Sequence, residues 1–166
     1  RPMVIALNMM DEVVRSGNHI DVKKLSQQLQ VPVIPISAAR RDGLDGLLDA
    51  VKAAAAHPTM ANLDFCKGAV HRAIHSIMHI IEDHTQQQEV PRRFAASRLV
   101  EGDALIAQRL AIHESNLHII EHIVQQMEEE LDTDREAAMA DMRYSFIEAL
   151  VSQCVHKQRE TLEQER

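Results

Sequence analysis

The sequence predicts a mainly α chain: a partial parallel α/β piece of two strands, followed by an antiparallel helical bundle. Three observations predict it. Two short apolar runs, residues 3–7 and 31–36, are separated by helical periodicity, the pattern of two parallel strands joined by a right-handed crossover. No Pro follows Pro91 and no Gly follows Gly102, so the last 64 residues carry neither strong helix breaker. Aromatic residues make up 2% of the 166 residues against 45% apolar residues overall. The core must therefore be aliphatic, with eight Met filling gaps. This composition excludes an all-β domain, a collagenous or disordered chain and a disulfide scaffold.

Each element has a local reason. Met3-Val4-Ile5-Ala6-Leu7 reads as a strand buried on both faces, as in a parallel sheet. A short helix follows over 11–16 and stops at Gly17-Asn18. Asp21 caps a second helix over 22–30, with Val22, Leu25 and Leu29 on one face. Val31-Pro32-Val33-Ile34-Pro35-Ile36 is the second strand, and its prolines suit an edge. Asp42 is the expected cap of a third helix to about residue 56, with Leu44, Leu47, Leu48 and Val51 inward. Residues 57–62 form the expected linker, because they hold a Pro and no apolar period. Helical periodicity then covers 64–84, with Phe65, Ala69, Val70, Ala73, Ile74, Ile77, Met78 and Ile81 inward. A break at 86–91 precedes helices from about Pro91, from Asp103 and over 114–130. The helix over 114–130 buries Leu117, Ile120, Val124, Met127 and Leu131. Thr133-Asp134-Arg135-Glu136 reads as a capping box that opens a last helix to about 157. The bundle is thus expected over 63–160, with a frayed charged tail at 161–166.

Charge divides the chain. Residues 1–56 hold seven Lys/Arg and six Asp/Glu; residues 57–166 hold eleven and nineteen. An acidic helical portion without a basic stripe argues against nucleic acid as a partner. Cys66 and Cys154 form no C-x-x-C and suit a reducing compartment, and are expected as buried helix residues. No apolar run reaches the roughly 18 residues that read as a membrane span. The opening Arg1-Pro2 runs straight into an element, which reads as the continuation of a longer chain.

Two loops carry the chemistry. Asn8-Met9-Met10-Asp11 follows the first strand directly. A carboxylate there can accept both the N1–H and the N2–H₂ hydrogens of guanine, which adenine does not offer in that arrangement. The Asn amide can contact N7 and tie neighbouring loops. Ser37-Ala38-Ala39 follows the second strand, where a small side chain lets a backbone N–H face guanine O6. Both loops lie at strand carboxyl ends, where open α/β sheets bind ligands. The alternative for Asn8, Asp11 and Ser37 is ordinary loop and helix capping.

Asn8-Met9-Met10-Asp11 and Ile36-Ser37-Ala38-Ala39 resemble the fourth and fifth guanine-nucleotide motifs of a Ras-like G domain. Met9, where most G proteins carry Lys, resembles the bacterial ferrous iron transport protein B family. Leu99-Val100-Glu101-Gly102-Asp103 and Ala140-Asp141-Met142-Arg143-Tyr144-Ser145-Phe146-Ile147 resemble further segments of that family, in family order. The resemblance implies that residues 1–56 are the C-terminal part of a cytosolic G domain and that 63–160 are a helical spacer acting like a GDP-dissociation inhibitor. It implies Asn8, Met9, Asp11, Ser37, Ala38 and Ala39 as guanine contacts. The parent is then a GTPase that binds GTP/GDP with Mg²⁺ and serves a membrane domain that moves Fe(II), at the cytoplasmic face of the bacterial inner membrane. The partners implied are guanine nucleotide, the remainder of the G domain and the membrane domain, with a homo-oligomer as a further option. The chain has no G-x-x-x-x-G-K-[ST] loop, switch threonine or Asp-x-x-Gly, so alone it is expected neither to hydrolyse GTP nor to hold nucleotide firmly.

Ten histidines offer a rival reading as a metal-binding helical module. His71, His75 and His79 recur every four residues on one helix, and His118 and His122 on another, a spacing that can chelate Zn²⁺ or Fe²⁺. The plainer reading is a solvated helix face, since no Asp, Glu or Cys completes a site; no catalytic or metal residue is assigned. A ligand-free interaction bundle is the third reading.

Overall fold

The computed structural model describes residues 2–58, 61, 63 and 65–157. The chain forms two compact units, Arg1–Asp64 with Ile147–Arg166, and 65–146. The expected linker at 57–62 lies partly outside the described residues, and the tail at 161–166 wholly outside them.

In the first unit, β1 (Ile5–Leu7) leads into α1 (Met10–Arg15), then β2 (His19–Ile20), α2 (Val22–Leu29) and β3 (Val33–Pro35). A 3-10 turn at Ala38–Arg40 precedes α3 (Leu44–Ala56). β1 and β3 are parallel, with Ile5 opposite Val33 and Leu7 opposite Pro35. Asp21 caps α2 as expected, its Oδ1 accepting from Lys24 N at 2.9 Å. Val31, Val33 and Ile36 are buried, but Ile5 and Leu7 are only half-buried and Ala6 is exposed. The expectation of a strand buried on both faces fails here because this sheet has two strands among the described residues, which leaves β1 open on its outer edge.

α3 departs from expectation at its start. Asp42 does not cap it; its backbone exchanges two 3.1 Å hydrogen bonds with Ser37 instead. Gly43, at φ +74°, takes the position before the helix. Leu44 and Leu47 are half-buried, whereas Leu48 and Val51, expected inward, are exposed.

The second unit begins with α4 (Gly68–Ile80), α5 (Glu82–Gln87) and α6 (Arg92–Val100), followed by α7 (Ala104–Arg109) and α8 (Glu114–Leu131). The opening part of α9 (Arg135–Cys154) completes it. The single helix expected from residue 64 starts only at Gly68, because a residue at φ +61° does not continue a helix toward its N-terminus. Buried Cys66 therefore precedes the helix. α4 packs on both α6 and α8. The core is aliphatic as predicted: Ile74, Ile77, Ile81, Val100, Leu110, Val124, Met127 and Met139 are essentially fully buried. Leu117 is half-buried and Leu131 exposed.

α9 opens differently from the predicted capping box. Asp134 sits immediately before the first helical residue, and its Oδ1 accepts from Ala137 N at 2.8 Å; Thr133 is one residue too early. The helix stops at Cys154 rather than 157 because β4 (Val155–His156) pairs antiparallel with β2. His19 lies opposite His156 and Ile20 opposite Val155, and Asp21 N donates to Cys154 O at 2.8 Å. Among the described residues, that pairing groups 147–157 with the first unit, whereas the sequence places them with the bundle.

Candidate guanine-binding site

Parallel pairing of β1 and β3 sets the two chemistry-bearing loops side by side. Met9 stands at φ +64°, a left-handed turn that separates β1 from α1. Asn8 Oδ1 accepts from its neighbour Met9 N at 2.8 Å and from Ala38 N at 3.1 Å, so its amide ties the first loop to the second. Met10 N donates to Ile36 O at 3.2 Å and fixes the start of α1 against the end of β3.

Asp11 stands between the loops. Ser37, only 3% exposed, donates its Oγ hydrogen to Asp11 Oδ1 at 2.8 Å. Arg40 Nε and Arg15 Nη2 lie 3.3 and 3.4 Å from Asp11 Oδ2. The Ser37 hydrogen bond is the largest influence on this carboxyl and holds it below the ordinary carboxylate range, against a smaller upward push from desolvation; the two guanidiniums act in the same direction as Ser37. Asp11 is thus an ionised, acceptor-only group.

Gly43 completes the second loop. A Cβ there would stand 2.4 Å from Pro35 O, so only glycine lets α3 leave this close to β3.

Of the residues singled out in the sequence, Asn8, Asp11, Ser37 and Ala38 are joined by hydrogen bonds. The Ala38 N–H, a candidate donor to guanine O6, is engaged by Asn8 here. Ala39 is exposed in the 3-10 turn, and the Met9 side chain is exposed. Arg15 and Arg40 were missed. Arg15 carries a signal, since it follows Asp11 by one helical turn; Arg40 reaches Asp11 through the 3-10 turn and leaves no periodic trace.

The histidines depart from the solvated-face reading in part. His71 and His75 are half-buried with ring centroids 4.1 Å apart, and Cys66 Sγ lies 3.3 Å from His71 Nδ1. His79, His118 and His122 are exposed. Among the described residues, no three or more His, Cys, Asp or Glu are grouped to hold a metal ion.

The two motif segments of the helical unit meet. Arg143 donates to Glu101, and Arg98 binds both Glu101 at 2.7 Å and Asp103 at 2.9 Å. Asp103 Oδ1 also caps α7, accepting from Leu105 N and Ile106 N. Elsewhere Arg135 bridges α8: Nη2 and Nη1 meet Glu121 at 2.6 and 2.9 Å, and Nε meets Glu128 at 2.9 Å.

Residues 67–156 match the family model of the FeoB cytosolic helical domain, more than half of the chain, and residues 1–51 match that of ferrous iron transport protein B. The chain belongs to the FeoB family. It is 32% identical over 155 residues to the Fe(2+) transporter FeoB of Legionella pneumophila (strain Paris), covering 92% of this chain and 19% of that protein. It is 26% identical over 149 residues to FeoB of Escherichia coli (strain K12), covering 90% and 18%. The chain therefore spans about a fifth of these relatives' length. Among solved structures it matches a point mutant of S. thermophilus NFeoB bound to GDP, with TM-score 0.81 and 32% identity over 93% of this chain and 59% of that one. It also matches S. thermophilus NFeoB bound to GDP, AlF4⁻ and K⁺, with TM-score 0.77 and 32% identity over 91% and 58%. No helix among the described residues is long and apolar enough to cross a membrane.

Proposed function

We propose that the first unit supplies the guanine-selecting corner of a FeoB G domain and that the helical unit tunes GDP release in a transporter of ferrous iron. One observation carries the reading of the corner. The Ser37–Asp11 and Asn8–Ala38 hydrogen bonds bring two loops, 26 to 30 residues apart in sequence, together at the carboxyl ends of parallel strands.

The donor set fits guanine. Asp11 offers carboxylate oxygens to N1–H and N2–H₂. Ser37 holds Oδ1 in place and does most to keep the group ionised, with the Arg40 and Arg15 guanidiniums acting in the same direction. Asn8 ties the second loop to the first through Ala38 N. The related NFeoB structures bound to GDP support this choice of ligand. Phosphate and Mg²⁺ contacts belong to motifs this sequence lacks, so this chain alone is expected neither to retain nucleotide firmly nor to hydrolyse GTP. The localisation that follows is the cytoplasmic face of a bacterial inner membrane.

The test is Asp11→Asn in a complete G domain. The amide presents a donor where guanine also donates. Unpaired polar groups cost about 1–3 kcal/mol, so GDP affinity should fall about tenfold or more. XDP, which carries oxygen in place of the amine, should gain relative to GDP. Unchanged preference between GDP and XDP would remove Asp11 from base recognition.

A further inference from the structure

Two histidines that the guanine site does not use face each other across the smaller sheet. His19 on β2 and His156 on β4 are register partners in an antiparallel pair. Their ring centroids lie 6.1 Å apart, with planes 12° from parallel, and both residues are exposed. Neither was singled out as a ligand by sequence spacing, because they lie near opposite ends of the chain. Only the strand pairing brings them together.

We propose that His19 and His156 form a two-imidazole site for a divalent first-row transition-metal ion. The separation is right for it. With metal–nitrogen bonds of about 2.0–2.1 Å, one ion shared by two imidazoles leaves the ring centres about 5–6 Å apart. Small χ rotations of two exposed side chains close the remaining gap. Imidazole suits Zn²⁺, Cu²⁺, Ni²⁺, Co²⁺ and Fe²⁺ and is a poor ligand for Mg²⁺ and Ca²⁺, which defines the class. The nearest acidic residue in sequence, Asp21, already caps α2. Water would complete the coordination.

The site's position gives binding a consequence. β2–β4 and the Asp21–Cys154 hydrogen bond fasten the end of α9 within the first unit. An ion held by one histidine from each strand adds a cross-link to that two-residue pairing, which is otherwise short and open to solvent. Anything that binds the paired form and not the separated one shifts the balance toward pairing by mass action.

The experiment uses the whole chain. Co²⁺ is titrated by its visible absorption, then displaced with Zn²⁺, in wild type, His19→Gln and His156→Gln, with His118→Gln as the control on α8. Saturable binding of one Co²⁺ is expected, weakened about tenfold or more by either of the first two changes, since a lone imidazole holds these ions poorly, and unaltered by the third. His19→Cys should keep the affinity and add thiolate-to-cobalt charge-transfer absorption. That signature separates ligation from mere packing and does not depend on the Gln variants folding perfectly. Absence of saturable Co²⁺ binding in wild type, equal affinity in the Gln variants, or no charge-transfer band in His19→Cys would each overturn the assignment.

Discussion

Replacing Gly43 by Ala should damage the first unit out of proportion to one methyl group. Gly43 stands at φ +74°, a region that costs a residue with a Cβ about 1–2 kcal/mol. The new methyl would also lie 2.4 Å from Pro35 O and 3.2 Å from Ile36 Cγ2. The first contact is with a backbone carbonyl, which cannot swing aside as a side-chain tip can, and forcing such overlaps costs about 1–3 kcal/mol. The two penalties together come to about 2–5 kcal/mol. The yielding segment is Pro35–Ile36, so Ser37 moves with it and its hydrogen bond to Asp11 loosens. Gly46 is the internal comparison: it lies within α3, and its Cβ would meet only Ile34 Cγ2, at 3.9 Å. Gly46→Ala should stabilise by about 0.5–1 kcal/mol, the ordinary helix-propensity gain. Urea unfolding, followed by exchange of the β1 and β3 amides, reports both variants on the same unit. If Gly43→Ala cost no more than about 1 kcal/mol, the carbonyl contact would not constrain the loop, and the glycine would serve φ alone.

Two further outcomes follow from the helical unit. Arg135 holds the Glu121 and Glu128 carboxyls below their usual range, chiefly through its hydrogen bonds to each. A depressed folded pKa gives stability that is complete above the unfolded carboxyl value, about 4.3, and is lost as pH falls through the lower folded values. Arg135→Met should therefore cost about 1–2 kcal/mol at neutral pH, with the gap to wild type narrowing from about pH 5 downward in chemical denaturation; a gap independent of pH would show that the guanidinium acts only by packing. In a complete G domain, the attached helical unit should slow GDP release several-fold, within a coupling energy of about 1–3 kcal/mol. Fluorescent-GDP release that is equally fast with and without the helical unit would leave it a passive spacer.

The elements legible in the sequence were those whose evidence is local. α2 announces itself by Asp21 and a Val22-Leu25-Leu29 stripe. α4 and α8 announce themselves by aliphatic residues at helical spacing, and most of the predicted inward residues form the core, with Phe65, Met78 and Leu117 only half-buried and Leu131 exposed. Asn8, Asp11 and Ser37 were singled out because the bonding needs of guanine restrict residue type at fixed distances from a strand end, and the structure joins their two loops by hydrogen bonds. The failures share a physical origin. β2 and β4 have two residues each, too few for any periodicity, and their pairing joins distant parts of the chain. The choice of Gly43 over Asp42, and of Asp134 over Thr133, turns on a one-residue shift of a helix start that several polar residues could satisfy. Leu48 and Val51 continue the apolar stripe of α3, but the stripe records what the helix can bury, not what lies against it. Arg40 reaches Asp11 through loop geometry that residue spacing does not encode.

The union of β2 with β4 also bears on how this polypeptide acquires its structure during synthesis. A ribosome delivers residues 19 and 20 long before 155 and 156, at about 5–20 residues per second. The helical unit, built from neighbours in sequence, has its partners at hand as soon as it emerges. The amino-terminal unit waits: its second strand has no mate until nearly the whole described chain has been made. Closing so long a loop late makes this pairing a slow, final step compared with the local helix contacts. A nascent chain halted before residue 155 would carry a finished helical unit beside an amino-terminal unit with an unpaired strand edge, the kind of edge that recruits other chains.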